Sequence, residues 1–232
     1  MEVIREGDEF SEFSMGRFSR NLADSTPAQL IPVNQGKETR MLSDLVRRSR
    51  SYRKFSQNVV IEIQTLRELV ELARLSPSGG NLQPLKYVLS CAASTNALIF
   101  KHLTWAVYLK GWPGPAEGER PSAYIILLHD KAIGGSFGHD AGIVAQSILL
   151  GAVEKGLGGC IIGSVAREKL KAALELPEGL DILLVLALGK PAEEIIIDPL
   201  GADGKIEYWR DGQGVHHVPK RPLDELIFRE LT

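Results

Sequence analysis

A cluster of basic residues and hydroxyls lies in the first quarter of the 232-residue chain, after an N-terminal stretch without clear pattern. The cluster comprises Arg47, Arg48, Ser49, Arg50, Ser51, Arg53 and Lys54. A guanidinium presents a rigid fork of N–H donors that matches phosphate oxygens, and a neighbouring hydroxyl adds another donor. The cluster therefore predicts a phosphate site, with a solvated basic helix end as the alternative.

A second segment, residues 76–84, reads Ser-Pro-Ser-Gly-Gly-Asn-Leu-Gln-Pro and follows a predicted amphipathic helix. Glycine lets the backbone approach a flat ligand closely, and the amides of Asn81 and Gln83 offer both donors and acceptors. That mixture suits a ring that alternates carbonyls and nitrogens, such as a flavin. The alternative is a helix stop followed by a turn.

Two further segments have chemistry that fits a bound cofactor. Residues 158–164, Gly-Gly-Cys-Ile-Ile-Gly-Ser, place backbone N–H groups before a predicted helix, where they could bond a flavin nitrogen or stabilise negative charge. Lys220 and Arg221 form a second cationic pair, between two prolines, that could complete a phosphate clamp. Tight strand-to-helix packing and an exposed tail are the respective alternatives.

The elements that must position these segments are predicted from hydrophobic period and from Gly and Pro breaks. Helices are predicted at 66–75, within 100–112, at 141–155 and, capped by Ser164, at 164–174. Strands are predicted at 86–91, 124–128, 160–162 and 182–188, followed by an irregular tail from Lys190. Because strands and helices mix without a βαβ rhythm, the pattern favours an α+β architecture over a doubly wound sheet.

The bulk composition predicts one cytoplasmic domain over residues 41–232, preceded by an extension over residues 1–40 that is loosely ordered or wraps a partner. Hydrophobic residues make up 44% of the chain and the net charge is only −2, which disfavours binding to nucleic acid or to an anionic membrane. The apolar run 182–188 is far too short to span a bilayer. Cys91 and Cys160 are predicted to be buried thiols in a reducing compartment.

In this order along the chain, the four segments resemble the nitroreductase family. The family's Arg-Arg-Ser-x-Arg-x-Phe pattern is matched by residues 49–55, and its Pro-Ser-x-x-Asn-x-Gln-Pro by residues 77–84. Its Asp-Ala-Gly helix start is matched by residues 140–142, and its Gly-rich turn by residues 158–164. The resemblance covers roughly residue 42 to the C-terminus. Ser49 departs from the pattern, because the family has its first Arg there.

The resemblance implies a nitroreductase-like FMN-binding fold, with a central, mostly antiparallel sheet flanked by helices, in an interwound homodimer with FMN at the subunit interface. It implies that the phosphate, the ribityl chain and the N1–C2=O edge are held by Ser49, Arg50, Ser51, Arg53, Lys220 and Arg221. The other subunit would contribute Pro77, Ser78, Gly79, Asn81 and Gln83, and flavin N5 would face Ile162, Gly163 and Ser164.

The implied activity is transfer of hydride from NAD(P)H through flavin N5 to a small acceptor such as a nitroaromatic or quinone. No side chain is needed as a general base, since the cofactor carries the hydride. The family also contains FMN-dependent dehydrogenases that oxidise azoline rings, and a flavin-binding protein without turnover is a third option. The sequence does not select the acceptor, the nicotinamide or the physiological direction.

A serine hydrolase is the alternative from a different class. Residues 134–138 spell G-x-S-x-G around Ser136, and Asp198 or Asp211 and then His216 or His217 follow in the Ser–Asp–His order. Against it, Asp130, Lys131 and two glycines separate the preceding strand from the serine. Adjacent residues on a strand point to opposite faces, so the two histidines are not expected to share a metal.

An aromatic segment around Trp105, Tyr108 and Trp112 could line the space above the flavin or pack the edge of the domain. Neither a G-x-G-x-x-G nor a Walker A sequence occurs in the chain. A nicotinamide is therefore expected to stack transiently on the flavin instead of occupying a domain of its own.

Overall fold

The computed structural model describes residues 41–133 and 138–231. Its helices are α1 Met41–Arg48, α2 Ile63–Leu75, α3 Ala93–Phe100, α4 Gly138–Glu154, α5 Arg167–Ala173 and α6 Leu223–Leu226, with a 3-10 turn at Gly79–Asn81. Its strands are β1 Leu85–Ser90, β2 Ala123–Asp130, β3 Gly158–Ile162, β4 Leu180–Gly189, β5 Ile195–Pro199, β6 Trp209–Arg210 and β7 His216–Lys220.

The main sheet has four strands in the order β1-β2-β4-β3, and every neighbouring pair is antiparallel. In the centre, Tyr124 of β2 lies opposite Ala187 of β4. The four strands correspond to the four predicted ones, with bounds that differ by at most two residues. The predicted α+β fold, an antiparallel sheet with flanking helices, is confirmed.

Both faces of this sheet are buried, because side chains alternate along each strand and are apolar on both sides. Ile125 and Leu127 face a core formed with α2 and α4. Tyr124 and Ile126 face a second core that includes Ile99 of α3 and, from α5, a fully buried leucine. The strand β3 lies at one edge of this packed sheet and contains part of the segment 158–164 that was predicted to contact a ligand.

The chain after Lys190 differs from the prediction of an irregular tail. It forms a second sheet in the order β5-β7-β6, in which β5 and β7 are parallel and β6 and β7 antiparallel. Strands β5 and β7 are five residues long and β6 only two, and none of them shows the alternation of apolar and polar residues that marks a strand in a sequence. The sheet places Lys220 at the end of β7, opposite Pro199.

Two local predictions are wrong. The helix expected within 100–112 is not found there, since α3 ends at Phe100. The residues that follow form turns, with positive φ at Gly111 and Gly114. Ser164 does not cap the next helix: α5 begins at Arg167 after Ala166, and the Ser164 carbonyl accepts a hydrogen bond from the Thr104 N–H at 2.9 Å.

Several sequence features fall outside the described residues, namely the extension over residues 1–40 and Ser136. In the described part of the chain, no helix is long and apolar enough to cross a membrane. Within the same residues, no group of three or more His, Cys, Asp or Glu side chains could hold a metal ion. Cys160 is buried as predicted, whereas Cys91 is only half-buried.

Substitution of Gly159 tests how tightly β3 is packed against its neighbours. A Cβ there would lie 2.7 Å from the Ala187 carbonyl oxygen and 2.7 Å from a methyl of Leu149 on α4, so backbone or core has to move. We expect Gly159→Ala to lower the free energy of unfolding by about 1–3 kcal/mol, measured by urea denaturation. The control is Gly179→Ala, since no atom lies within 4 Å of a Cβ at Gly179. Equal stability of the two variants would contradict the packing described.

Candidate functional site

A cavity of about 250 Å³ brings the basic cluster to the second sheet. We call it the cationic pocket, and it is lined by Ser49, Arg50, Ser51, Arg53, Tyr208, His216, Val218 and Lys220. Five of these were predicted to bind the phosphate end of a cofactor, from parts of the chain about 170 residues apart in sequence. Arg221, also predicted there, does not line the pocket and pairs with Glu225 of α6.

The part of the cluster from Ser51 onward lies along the edge of the main sheet, whereas Arg47 and Arg48 end α1. The Ser51 backbone pairs with Gly159 of β3 in parallel fashion, and the Tyr52 N–H donates to the Gly159 carbonyl at 3.0 Å. Phe55, which is fully buried, anchors the end of the segment and pairs with Pro191. These contacts fix residues 51–55 as an extended segment beside β3 instead of a solvated helix end.

A buried carboxylate, Glu193, holds the same segment from behind. It accepts hydrogen bonds from the backbone N–H groups of Arg53 and of Lys54, the latter at 3.0 Å. Its second oxygen accepts from the Arg210 guanidinium at 2.8 Å, and only 2% of the Glu193 side chain is exposed. Charge-assisted hydrogen bonds of this kind are strong and directional. Sequence reasoning missed Glu193, because no motif marks a carboxylate whose partners are backbone groups far away in the chain.

The Arg53 guanidinium is fixed at the pocket wall by three neighbours. Its Nη1 donates to the Ser51 carbonyl at 3.1 Å and lies 3.3 Å from Nε2 of His216. Its Cζ lies 4.6 Å from the centre of the Tyr208 ring, an arrangement in which the π face attracts the cation. Arg50 is anchored at one end only, since Nη2 donates to the Val46 carbonyl at 2.7 Å while the buried Nε has no protein partner among the described residues.

The two adjacent histidines on β7 point to opposite faces, as predicted. His216 is 1% exposed and lines the cationic pocket. Burial and the positive charge of Arg53 lower its pKa from 6.5 to about 4. His217 stacks on Trp209 at 4.1 Å, and its hydrogen bond to Asp198, 2.8 Å long, raises its pKa. The neutral ring of His216 thus belongs to the pocket and the ring of His217 does not.

The Ser-Pro-Ser-Gly-Gly-Asn segment is shaped by Asp140, the first acidic residue of α4. Asp140 is buried and accepts hydrogen bonds from the Ser78 hydroxyl at 2.6 Å and from the Gly79 N–H at 3.0 Å. Asn81 and Gln83 have positive φ values of 56° and 53°, and the Gln83 amide donates to Asn81. Asp140, the first residue of the Asp-Ala-Gly motif, therefore supports this loop.

The loop borders a cavity of its own, of about 660 Å³, which we call the loop cavity. Pro77, Ser78 and Gln83 line it together with Tyr87 and Asp140, whereas Gly79 and Asn81 do not. Burial, with the charge of Asp140, raises the pKa of Tyr87 to about 12. No residue lines both cavities. Within one described chain, the two predicted halves of the site are therefore separate.

The third predicted group lies apart from both cavities. Ile162 ends β3 and is buried, the Gly163 carbonyl accepts from Nη2 of Arg167 at 3.0 Å, and Ser164 is bonded through its carbonyl to Thr104. These contacts tie the turn to α5 and to the segment after α3. Ile162, Gly163 and Ser164 line neither the cationic pocket nor the loop cavity.

The aromatic segment packs against its neighbours. Trp105 is 6% exposed and its ring lies 5.8 Å from that of Phe100. The Tyr108 ring meets the Tyr208 ring edge-on at 5.0 Å, and Trp112 lies under the Arg210 guanidinium at 4.5 Å. Tyr108 and Trp112 thus pack against Tyr208 and Arg210, at the second sheet, whereas Trp105 packs in a core of the main sheet.

The hydrolase alternative gains no support from the contacts of His217, one of its two candidate histidines. Nδ1 of His217 is bonded to Asp198, and its Nε2 lies 3.5 Å from a carboxylate oxygen of Asp211, too far for a well-formed hydrogen bond but within ion-pair distance. Both ring nitrogens therefore face carboxylates, whereas a triad histidine needs one nitrogen free for the serine. Ser136 itself lies outside the described residues.

Glu193 supplies a test of this arrangement. Its removal leaves the Arg210 guanidinium and two backbone N–H groups without their buried acceptor, so we expect Glu193→Ala to lower the free energy of unfolding by about 3–5 kcal/mol. Glu194→Ala is the matched control, because the neighbouring Glu194 is exposed. Its effect should stay within about 0.5 kcal/mol. Urea denaturation measures both, and a Glu193 effect as small as the control would contradict the role assigned here.

Comparisons with known proteins agree on the fold. A nitroreductase family protein from Streptococcus pneumoniae TIGR4 superimposes with a TM-score of 0.59 at 19% identity, over 82% of this chain and 100% of the other. The NADPH:FMN oxidoreductase from Vibrio harveyi, solved with NAD+, gives 0.56 at 22% identity, over 70% and 74%. An FMN-dependent nitroreductase from Clostridium difficile R20291 gives 0.54 at 22% identity, over 65% and 87%.

At these identities the structural likeness establishes the fold alone. No curated protein matches the chain in sequence. The sequence model of the nitroreductase family, however, matches residues 46–112 and 135–190, which is more than half of the chain. These two stretches contain the basic cluster, the loop of residues 76–84 (the Ser78 loop), α4 and β3. The chain belongs to the nitroreductase family.

Proposed function

We propose that the protein is an FMN-dependent oxidoreductase that takes hydride from NADH or NADPH and passes it to a small acceptor such as a nitroaromatic or a quinone. Family membership supports the class of reaction. Two proteins of similar structure, the NADPH:FMN oxidoreductase from Vibrio harveyi and the FMN-dependent nitroreductase from Clostridium difficile, are FMN proteins by name and agree with this choice of cofactor.

The single observation that carries the proposal is the cationic pocket. Three cations, Arg50, Arg53 and Lys220, line it together with Ser49 and Ser51. This donor set suits the dianionic oxygens of a phosphate monoester. The volume of the cationic pocket, about 250 Å³, is below the range of roughly 300–1,000 Å³ that is typical of sites that enclose a whole ligand. The pocket therefore fits the phosphate end of FMN, with the flat ring outside it.

The contacts of the cations and of one serine in the pocket suggest how each would hold the cofactor. Arg53 has a guanidinium fixed by its neighbours and would hold one position of the cofactor, whereas Arg50 has a buried Nε without a partner among the described residues. Lys220 would add a cation on a flexible stem. The Ser49 hydroxyl, which lines the pocket, would replace more weakly the guanidinium that the family pattern has at position 49, unless Arg48 or Arg50 supplies that contact. When bound, FMN supplies the centre that accepts and donates hydride, so that the protein contributes binding and orientation.

The separation of the two cavities supports a homodimer as part of the proposal. The resemblance assigns the Ser78 loop to the same flavin as the cationic pocket, yet in one chain the two lie in different cavities. A second copy would bring its loop to the first copy's pocket and leave Gly163 and Ser164 near the ring. A monomeric form that retains FMN, shown by sedimentation with absorbance detection, would contradict this shared site.

Two finer points belong to the same proposal. An azoline-oxidising dehydrogenase would use the same pocket, and absence of NAD(P)H oxidation by the flavin-loaded protein would favour it. We also place the protein in the cytoplasm, because Cys91 and Cys160 are free thiols, which persist in reducing compartments. Cell fractionation with an antibody against the chain tests the location.

An absorption spectrum of the purified protein tests the function. We expect flavin bands, or uptake of added FMN, and bleaching of the bands when NADH or NADPH is added without air. Reoxidation by a quinone should restore them. A colourless protein that fails to bind added FMN would overturn the proposal, and covalent labelling of Ser136 by a serine-directed phosphonate would then identify a hydrolase. If the protein binds flavin but neither NADH nor NADPH bleaches it, the protein is a flavoprotein and the proposed NAD(P)H oxidoreductase activity is rejected.

A further inference from the structure

His216 is a buried polar side chain at the wall of the cationic pocket. It is 1% exposed and lines the pocket with Arg50, Arg53 and Lys220. Strand β7 holds it in place, since its backbone N–H donates to the Glu194 carbonyl at 2.9 Å and its ring packs 5.2 Å from the ring of Tyr208. The orientation of the imidazole is therefore set by the fold.

The neighbouring arginine decides which ring nitrogen carries the proton. Nε2 of His216 lies 3.3 Å from Nη1 of Arg53. A guanidinium has donors only, so the nitrogen that faces it must present its lone pair. In the neutral ring the proton is consequently on Nδ1.

The surroundings also keep the ring neutral. Arg53 and Arg210 oppose a further positive charge, as does His217, and Glu193 favours it less strongly than burial and Arg53 together disfavour it. The pKa is lowered to about 4, so the ring is uncharged at neutral pH. His216 therefore presents a neutral donor with a fixed direction, in contrast to the charged donors around it.

That donor has no acceptor in the described chain. Nδ1 of His216 is buried and makes no hydrogen bond with any described residue. Buried donors without a partner are rare in folded proteins and call for a ligand, an ion or a water. The residue that carries this donor lines the pocket suited to a phosphate.

We propose that His216 donates a hydrogen bond from Nδ1 to a phosphate oxygen of the bound flavin nucleotide, and that Arg53 fixes the tautomer that makes this possible. The inference rests on the proposed function. It adds a neutral, directional contact to the three cations. It also explains why a histidine, and not a further cation, occupies this position beside Arg53.

The test measures the dissociation constants of FMN and riboflavin by quenching of flavin fluorescence in the full chain. His216→Leu removes the donor and should weaken FMN binding roughly tenfold, the effect of about one hydrogen bond. His216→Asn places an amide donor near the position of Nδ1 and should restore most of the affinity. Riboflavin lacks the phosphate, so its binding should hardly change in either variant.

His217→Leu is the matched control, because His217 lies on the other face of the same strand and does not line the pocket. It should bind FMN like the wild type, and circular dichroism melts show whether each variant is folded. Unchanged FMN affinity in folded His216→Leu, or an equal loss for riboflavin, would overturn the inference. Failure of the wild type to bind any flavin would instead reject the proposed function.

Discussion

The carboxylate of Glu193 connects two parts of the chain that are distant in sequence, and the geometry of the cationic pocket depends on it. One oxygen accepts from the backbone N–H groups of Arg53 and Lys54, and the other from the Arg210 guanidinium. An isolated carboxylate would be costly to bury, and these three donors compensate for the lost solvation. The basic segment therefore has one backbone position relative to the second sheet, which fixes where Arg53 points.

The other contacts of the pocket depend on this fixed position of the basic segment. With the segment fixed, Arg53 packs on Tyr208 and lies 3.3 Å from Nε2 of His216, while β7 brings Lys220 to the same cavity. Tyr208, His216 and Lys220 lie beyond residue 190, where the match to the family model ends. The pocket thus combines a segment inside the family match with residues of the C-terminal sheet and its flank.

Local patterns were sufficient for the frame of the fold and for one half of the site. The main strands are apolar and bounded by Gly and Pro, and the prediction of four strands is confirmed. The cluster from Ser49 to Arg53 and Lys220 could be named from residue chemistry and motif order, and the structure brings them together. Glu193 and Tyr208 could not be named, because their roles arise from contacts across about 140 and 155 residues of chain. Arg221 could not be excluded, since only the structure shows its pairing with Glu225.

The central claim is that the cationic pocket binds the phosphate of a flavin nucleotide, and the comparison of FMN with riboflavin by the wild-type protein tests it most directly. The two ligands share the ring and the ribityl chain and differ only in the phosphate. Each charge-assisted hydrogen bond contributes roughly 1.5–3 kcal/mol, so two or more should make FMN bind at least about 100-fold more tightly at low salt. Equal dissociation constants would contradict the account, because they would show that the phosphate makes no contact with Arg50, Arg53 or Lys220.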